Sequence, residues 1–427
     1  MTVEIDGANN IIKTNTISEV TSANGVTVDG LSIKDSKLVT ANSVVEANIT
    51  NGAVTSGKIA SGVIPTSRPN ANPLIINGDM AVAQRSTSVT GIGNGDEGYH
   101  TIDRFKFEEG QTPTAVWTMT QESLTSGNAY NAGFTKALKM DCTTSDNASG
   151  HGDILNVMKY ATERQDTHLF KKGTSSAEKY TVAFWFKATK TGTHICELRD
   201  FANDRAVSVA YTVSSSNTWE HKVLVFPADT TGAIGTGNSK GLEIYWCLYS
   251  GSGYQSASLQ TAWGSSATNK RYTGQVNNAD STSNNWHITG LQLEVGEYTS
   301  ATLPPFQHES FGDNLFRCQR YLNRMVQNGS GSNIRFATGI CTSSTATEIA
   351  YLCFPEMRST PALTLPAADK FRIRSSTAEA CSSINADNRH KNGVNIQANV
   401  SSGLTSGNGA NFDARSNDAF VELDAEL

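Results

Sequence analysis

Three constellations in the chain have the spacing of known reaction chemistry, and each lies in the wrong surroundings for it. Gly237-Asn238-Ser239-Lys240-Gly241 satisfies the GxSxG pattern, whose serine becomes a nucleophile only where a strand feeds a helix through a strained turn. Here a strand is expected to follow from residue 242, so the stretch reads as a polar loop. Gly93-Asn94-Gly95-Asp96-Glu97-Gly98 fits GxGxxG, but a pyrophosphate would meet Asp96 and Glu97 rather than a helix N-terminus. Asp200 and Asp204 come nearest to the paired carboxyls that glycoside cleavage needs. Arg199 and Arg205 flank them and are expected to pair them off as a solvated charged turn. The eight histidines form no HxH, HExxH or calcium-loop pattern with acids. No catalytic residue and no metal ligand set is assigned.

Flat rings offer a different chemistry, because sugars pack their C–H faces on aromatic side chains and large exposed rings are otherwise uncommon. Trp185, in Val182-Ala183-Phe184-Trp185-Phe186, is expected in the core, as are Trp219, Trp246 and Trp286, which occupy strand-like patterns. Tyr254, Trp263 and Tyr272 lie instead in a long Gly/Ser/Thr/Asn-rich stretch, 250–285, that offers little to bury them against. They form the candidate glycan platform, with Arg271 and Gln275 beside them to hydrogen-bond hydroxyls. Packing of these rings under their own loop, or against a neighbouring subunit, is the alternative.

The elements that would position such a platform are strands. From residue 74 onward, stretches of five to nine residues recur between Gly/Ser/Asn/Asp clusters, at 180–188, 206–213, 219–226, 242–249 and 286–293, the pattern of an all-β sandwich. Gly290 interrupts the alternation in the last of these and is expected to shift its register. A second β-rich segment, 309–427, has expected strands at 336–341, 348–354, 362–366, 394–400 and 419–423, with polar loops at 375–392 and 401–411. Residues 314–327 suit a helix or a strand.

Upstream, 30–64 repeats every ten or eleven residues. Ile33, Val44, Val54 and Ile64 form one apolar series, and Leu38, Ile49 and Ile59 a second. Fixing each residue costs about 1–2 kcal/mol of backbone entropy, and burying one such peg returns roughly 1.5–3 kcal/mol. Seven pegs therefore cannot order 35 residues unless copies of the segment wind together. This predicts an oligomeric shaft. Residues 1–29 read as an adaptor, and Pro65, Pro69 and Pro73 mark a stiff linker over 65–73.

At 427 residues the chain has room for several domains. Only 17% of residues are charged, against about 25% in ordinary soluble domains, so short neutral polar side chains carry solubility. A net charge of −6 argues against nucleic acid as a partner. Seven scattered cysteines without a CxxC pair read as small apolar strand residues of a protein assembled in a reducing cytoplasm. No basic leader and no apolar run of membrane-spanning length is found, so neither signal cleavage nor membrane insertion is expected.

Several stretches resemble bacteriophage tail fibres and receptor-binding proteins. Gly52-Ala53-Val54-Thr55-Ser56-Gly57-Lys58-Ile59-Ala60-Ser61-Gly62 is similar to their shaft repeats. Thr16 to Gly30, with Asn24-Gly25-Val26-Thr27-Val28, looks like the segment before such shafts. Asn72-Pro73-Leu74-Ile75-Ile76-Asn77-Gly78-Asp79, Gln84-Arg85-Ser86, Tyr99 and Asp103-Arg104-Phe105 resemble the opening of carbohydrate-module-like jelly rolls. The stretches from Ile288 to Gly296 and from Pro305 to Gly312 resemble their close. Cys318-Gln319-Arg320-Tyr321 and the stretch from Phe354 to Pro361 resemble the terminal β-module that often follows.

The resemblance implies an all-β chain: an attachment segment (1–29), an extended trimeric shaft (30–64), the linker (65–73), a jelly-roll sandwich (74–308) and a smaller C-terminal β-sandwich module (309–427). It further implies a homotrimer on the virion tail, held to a tail or baseplate protein through 1–29 and reading host polysaccharide through its C-terminal domains. No cofactor is implied apart from a structural calcium ion, for which Asp79 and Glu294 are placed on the opening and closing motifs. A non-enzymatic adhesin is the leading expectation. A polysaccharide depolymerase and a purely structural tail connector are the alternatives.

Overall fold

The computed structural model describes residues 73–427 other than 112, 148–151, 328–333 and 353–354, together with the backbone of five short strands upstream. The chain divides into Met1–Thr66 and Ser67–Leu427. In the first unit Glu4–Asp6 pairs antiparallel with Ile11–Lys13, and Val26–Val28, Leu31–Lys34 and Lys37–Leu38 form a three-stranded sheet in which Ile33 and Leu38 are register partners. The remaining shaft repeats, and the linker up to residue 72, lie outside the described residues.

The second unit is nearly all β. Two six-stranded antiparallel sheets form the jelly-roll sandwich. One runs Gly264–Ser265, Arg205–Val213, Gly192–Asp200, Lys240–Ser250, Leu155–Glu163, Phe105–Gly110. The other runs Glu220–Phe226, Tyr180–Ala188, Asn285–Val295, Lys136–Thr144, Val116–Ser123, Ser88–Ile92. Period-two alternation sends one set of side chains inward: Cys196 and Leu198, Ile244 and Trp246, and Met158 and Tyr160 from the first sheet meet Val182, Phe184, Ile288, Leu291 and Met140 from the second. Gly290 does shift the register, opposite 183–185, at φ 64; a Cβ there would strike the Phe134 ring at 2.7 Å. Trp219, Trp246 and Trp286 are buried as expected. Trp185 is not: it points away from the core, half-buried, and stacks on His221 at 4.9 Å.

Past the sandwich, Ser310 caps a helix, Phe311–Gln319, by accepting a hydrogen bond from the Asp313 amide. Leu322–Val326 then forms a strand, so the ambiguous 314–327 stretch is both helix and strand. This strand joins Phe420–Asp424 and Ala362–Thr364 in a three-stranded sheet. The rest is a closed barrel, not the expected sandwich: Arg335–Cys341, Ala346–Leu352, Gly393–Val400, Ala378–His390, Phe371–Arg374 and Gly409–Ala414, returning to the first. Closure pairs each of the six strands on both sides over at least part of its length. The stretch 375–392, expected as a loop, holds the 13-residue strand Ala378–His390. Its ladder to Gly393–Val400 supplies backbone bonds while most of its side chains stay in solvent.

Sandwich and barrel have separate cores, joined by a polar seam built largely from the motif residues. Fully buried Arg104, held at φ 75, pairs with Glu426, donates to the Ala161 carbonyl at 2.7 Å, and lies 3.5 Å from the Tyr321 ring centroid. Arg320 and Tyr321 both donate to Glu163, at 2.7 and 2.6 Å. Arg85 reaches Asp424 at 2.7 Å.

Candidate functional site

The strand Lys240–Ser250 is buried on both faces of its sheet, and residues from 251–284 cover the outer one, where an apolar patch adjoins a row of charged side chains. In register across five strands stand Lys106, Lys159, Tyr245, Glu197 and Ser208. Lys159 is shared between Glu108 (2.5 Å) and Glu243 (3.2 Å), and Tyr245 donates to Glu243 at 3.1 Å. From the covering segment, Arg271 forks onto Glu197 at 2.9 and 2.6 Å, and the Tyr272 hydroxyl donates to the same carboxylate at 2.7 Å. Burial opposes the charge on Arg271, but Glu197 outweighs it and holds the guanidinium well above its usual range. Burial likewise drives the Tyr272 phenol far up.

These contacts alter the reading of the five candidate residues. Tyr254, Arg271, Tyr272 and Gln275 do gather around one strand, but as a lid facing the sheet. Tyr272 is fully buried, Arg271 is 7% and Gln275 6% exposed, and Tyr254 is half-buried against them. Gln275 accepts from the Ile195 amide at 2.7 Å. Trp263 lies elsewhere, packed on the sandwich core with its indole N–H donating to the Pro227 carbonyl at 2.8 Å. As placed, they are not an open ring platform. The physical reason is the second apolar face formed by Leu155, Val157, Ile195, Tyr245 and Cys247, against which the polar-looking stretch buries its rings. The unbroken apolar run at 244–249 is the signal in the sequence for it.

Where this lid meets the strand end, a cleft of about 380 Å³ opens, lined by Asn147, Tyr249, Ser250, Gly251, Ser252, Gln255, Ser256 and Asn277. Its walls are pinned by Gly251 N–H to Ile154 O (2.8 Å) and Gly253 N–H to Gly152 O (2.7 Å). Gln255 donates to the Ser250 carbonyl and hydroxyl, both at 3.0 Å. Asn277 donates to the Asp146 carbonyl at 3.0 Å. The Tyr249 phenol is pushed up to about 12 by burial and by Asp146, and so stays neutral. Among the described residues, the Ser252 and Ser256 hydroxyls and the Asn147 amide have no hydrogen-bond partner. No charged side chain among the described residues lines the cleft. Sequence reasoning missed it because its residues carry no motif.

A larger cavity, about 610 Å³, lies at the seam, between Leu74, Ile76, Leu169 and Phe316 on one hand and Asp166, Arg317, Arg320 and Glu356 on the other. Its two arginines are already engaged, Arg317 with Glu309 and Arg320 with Glu163.

The remaining candidates are engaged in structural roles. Ser239 stands just before the strand Lys240–Ser250, its carbonyl accepting from the Arg164 amide. Asp200 is not solvated as expected: it is 1% exposed and pairs with Lys172 at 2.6 Å, while Arg205 forks onto Asp229 and only Arg199 approaches Asp204, at 3.6 Å. Asp79 accepts from Asn314 at 3.0 Å, and Glu294 accepts from Gln292 at 2.8 Å. No cluster of three or more His, Cys, Asp or Glu side chains able to hold a metal occurs among the described residues. No helix there is long and apolar enough to cross a membrane. The six described cysteines are free and buried.

No protein-family model matches the chain, and no curated protein does. Among solved structures, it is similar to the enzymatically active domain of tailspike protein 4 of bacteriophage CBA120 (13% identity, TM-score 0.27). That match covers 54% of this chain and only 23% of the tailspike chain. It is also similar to TmCBM61 in complex with β-1,4-galactotriose (10% identity, TM-score 0.24, covering 53% and 99%). A family 11 carbohydrate-binding module of a Clostridium thermocellum cellulase matches as well (8% identity, TM-score 0.25, covering 50% and 99%). At TM-scores this low, no function is transferred from them.

Proposed function

We propose that the chain is a glycan-binding adhesin of a bacteriophage tail, working as a homotrimer and reading a host polysaccharide through its β-modules. The observation that carries the glycan reading is the cleft at the lid margin, whose lining among the described residues carries no charge. Hydroxyls and amides converge there beside a neutral tyrosine, the hydrogen-bonding complement of an uncharged polyol. One such contact is weak. Several copies on one shaft raise effective concentration, and avidity exceeds the single-site affinity by roughly 10²–10⁴. Attachment through 1–29 and a location on the virion, after assembly in the host cytoplasm, rest on the repeat pattern and the motif resemblance. Non-enzymatic action rests on the pairing of Asp200 with Lys172 and of Arg199 with Asp204.

The test is binding of the full chain to host cells and to neutral oligosaccharides, with Ser256→Trp as the blocking variant. Ser256 is exposed at the cleft wall, so an indole there fills the space without disturbing the core. Binding is expected to fall at least about tenfold, the loss of one or two hydrogen bonds. Undiminished binding removes the cleft, and release of reducing sugar from the polysaccharide favours the depolymerase reading.

A further inference from the structure

The C-terminal barrel carries an arginine cluster whose charges do not balance. Strand alternation in Phe371-Arg372-Ile373-Arg374 buries Phe371 and Ile373 and turns both arginines outward. Register places Asp413 beside Arg372 on one side and Ala380 on the other, and Arg335 directly across Asp413. In the adjacent row stand Thr338, Asn411, Arg374 and Ala378. Asp413 is 1% exposed and serves two guanidinia, Arg374 at 2.9 Å and Arg335 at 3.4 Å. Arg372 has no ion pair, and its Nε and one terminal nitrogen are buried without any hydrogen-bond partner among the described residues.

Arg372 and Arg374 stand two residues apart on one strand, and Arg335 lies beyond the intervening strand Gly409–Ala414, so three guanidinia share this face with Asp413 between them. They repel unless counter-charge is supplied, and one carboxylate already shared by two of them supplies too little. A buried N–H left unmade is costly. What relieves the charge imbalance is an oxyanion on the solvent-facing side of Arg372 and its neighbours, since guanidinium donors match carboxylate and phosphate oxygens in paired geometry. The two alanines that flank the arginines, Ala378 and Ala380, are exposed and place no charge beside the cluster.

We propose that this barrel face, Arg335, Arg372 and Arg374 with Asn411 and Thr338, is a second glycan subsite that takes an acidic sugar through its carboxylate or phosphate. That the anion belongs to a sugar rests on the glycan-binding reading; the oxyanion chemistry rests on the cluster alone. The cleft selects neutral hydroxyls and the barrel selects charge, so one fibre grips two features of the same polysaccharide.

Calorimetric titration of the full chain with trigalacturonate, glucose 6-phosphate and neutral galactotriose tests this, at low and at roughly threefold higher salt. Wild-type protein is expected to bind at least one acidic ligand, the better of the two identifying carboxylate or phosphate as the natural group, and salt weakens that binding. Arg372→Gln is expected to lower acidic affinity by about tenfold to a hundredfold and to leave galactotriose binding unchanged. Because Arg372 makes no bond to the described residues and its charge is uncompensated, the same variant is expected to melt no lower than the wild type. Neutral binding without acidic binding, or acidic binding indifferent to Arg372→Gln, overturns the subsite and leaves the cleft standing. Failure of every sugar to bind overturns the glycan reading and this subsite with it.

Discussion

Arginines stand on an outer sheet face of both the sandwich and the barrel, Arg271 on the first and Arg335, Arg372 and Arg374 on the second, and the two settings are built in opposite ways. On the sandwich, Arg271 is folded under residues 251–284, forks onto Glu197, and shares that carboxylate with the Tyr272 hydroxyl. Glu197 itself is 0% exposed. On the barrel, Arg335 and Arg374 divide one carboxylate, and Arg372 has none. A balanced and covered cluster has spent its hydrogen bonds on holding the fold. An unbalanced and open one has donors left for a ligand. Residue type does not separate the two cases; the count of partners does.

The comparison breaks most sharply at Arg271. Arg271→Ala strands a buried carboxylate, and loss of one partner of such a pair costs about 3–5 kcal/mol. Urea unfolding of this variant is expected to show that loss, and a change under about 1 kcal/mol contradicts the structural role given to the lid. His194 probes the same half of the molecule by pH. It is fully buried, stacks on Tyr211, and its pKa is lowered to about 4 by burial. Unfolding returns it to its ordinary value near 6.5, so the unfolded chain binds the extra proton between those limits. Its contribution is therefore intact above about 6.5 and is lost as pH falls toward 4, in total about 3 kcal/mol. In His194→Gln, stability is expected to fall less steeply across that window than in the wild type; an equal slope contradicts the burial argument. The smallest effect belongs to Arg372→Gln, which is expected to cost no stability and to gain at most about 0.5 kcal/mol.

Strands with one buried face were legible from alternation, and Tyr180–Ala188 and the Gly290 register shift stand where the pattern put them. The lid was not, because a Gly/Ser-rich stretch looks solvated until the surface beneath it is known. That surface announced itself only in the both-sided apolar run through Ile244 to Tyr249. The barrel was harder still. Ala378–His390 is too polar to read as a strand by burial, and it forms one because its neighbour completes the ladder. Arg372 and Arg374 alternate visibly around Ile373, but Arg335 and Asp413 join them only through register between distant strands. The residues Arg85, Arg104, Arg320 and Tyr321 stood in the sequence only as parts of motifs that carry a resemblance, with no role attached, and the structure places them in the seam between sandwich and barrel.

The most direct measurement crosses the two variants with two ligands: Ser256→Trp and Arg372→Gln, each titrated with galactotriose and with trigalacturonate. The account predicts that Ser256→Trp loses the neutral sugar and keeps the acidic one, and that Arg372→Gln does the reverse. Wild-type protein that binds neither sugar, or variants that lose both together, would contradict it.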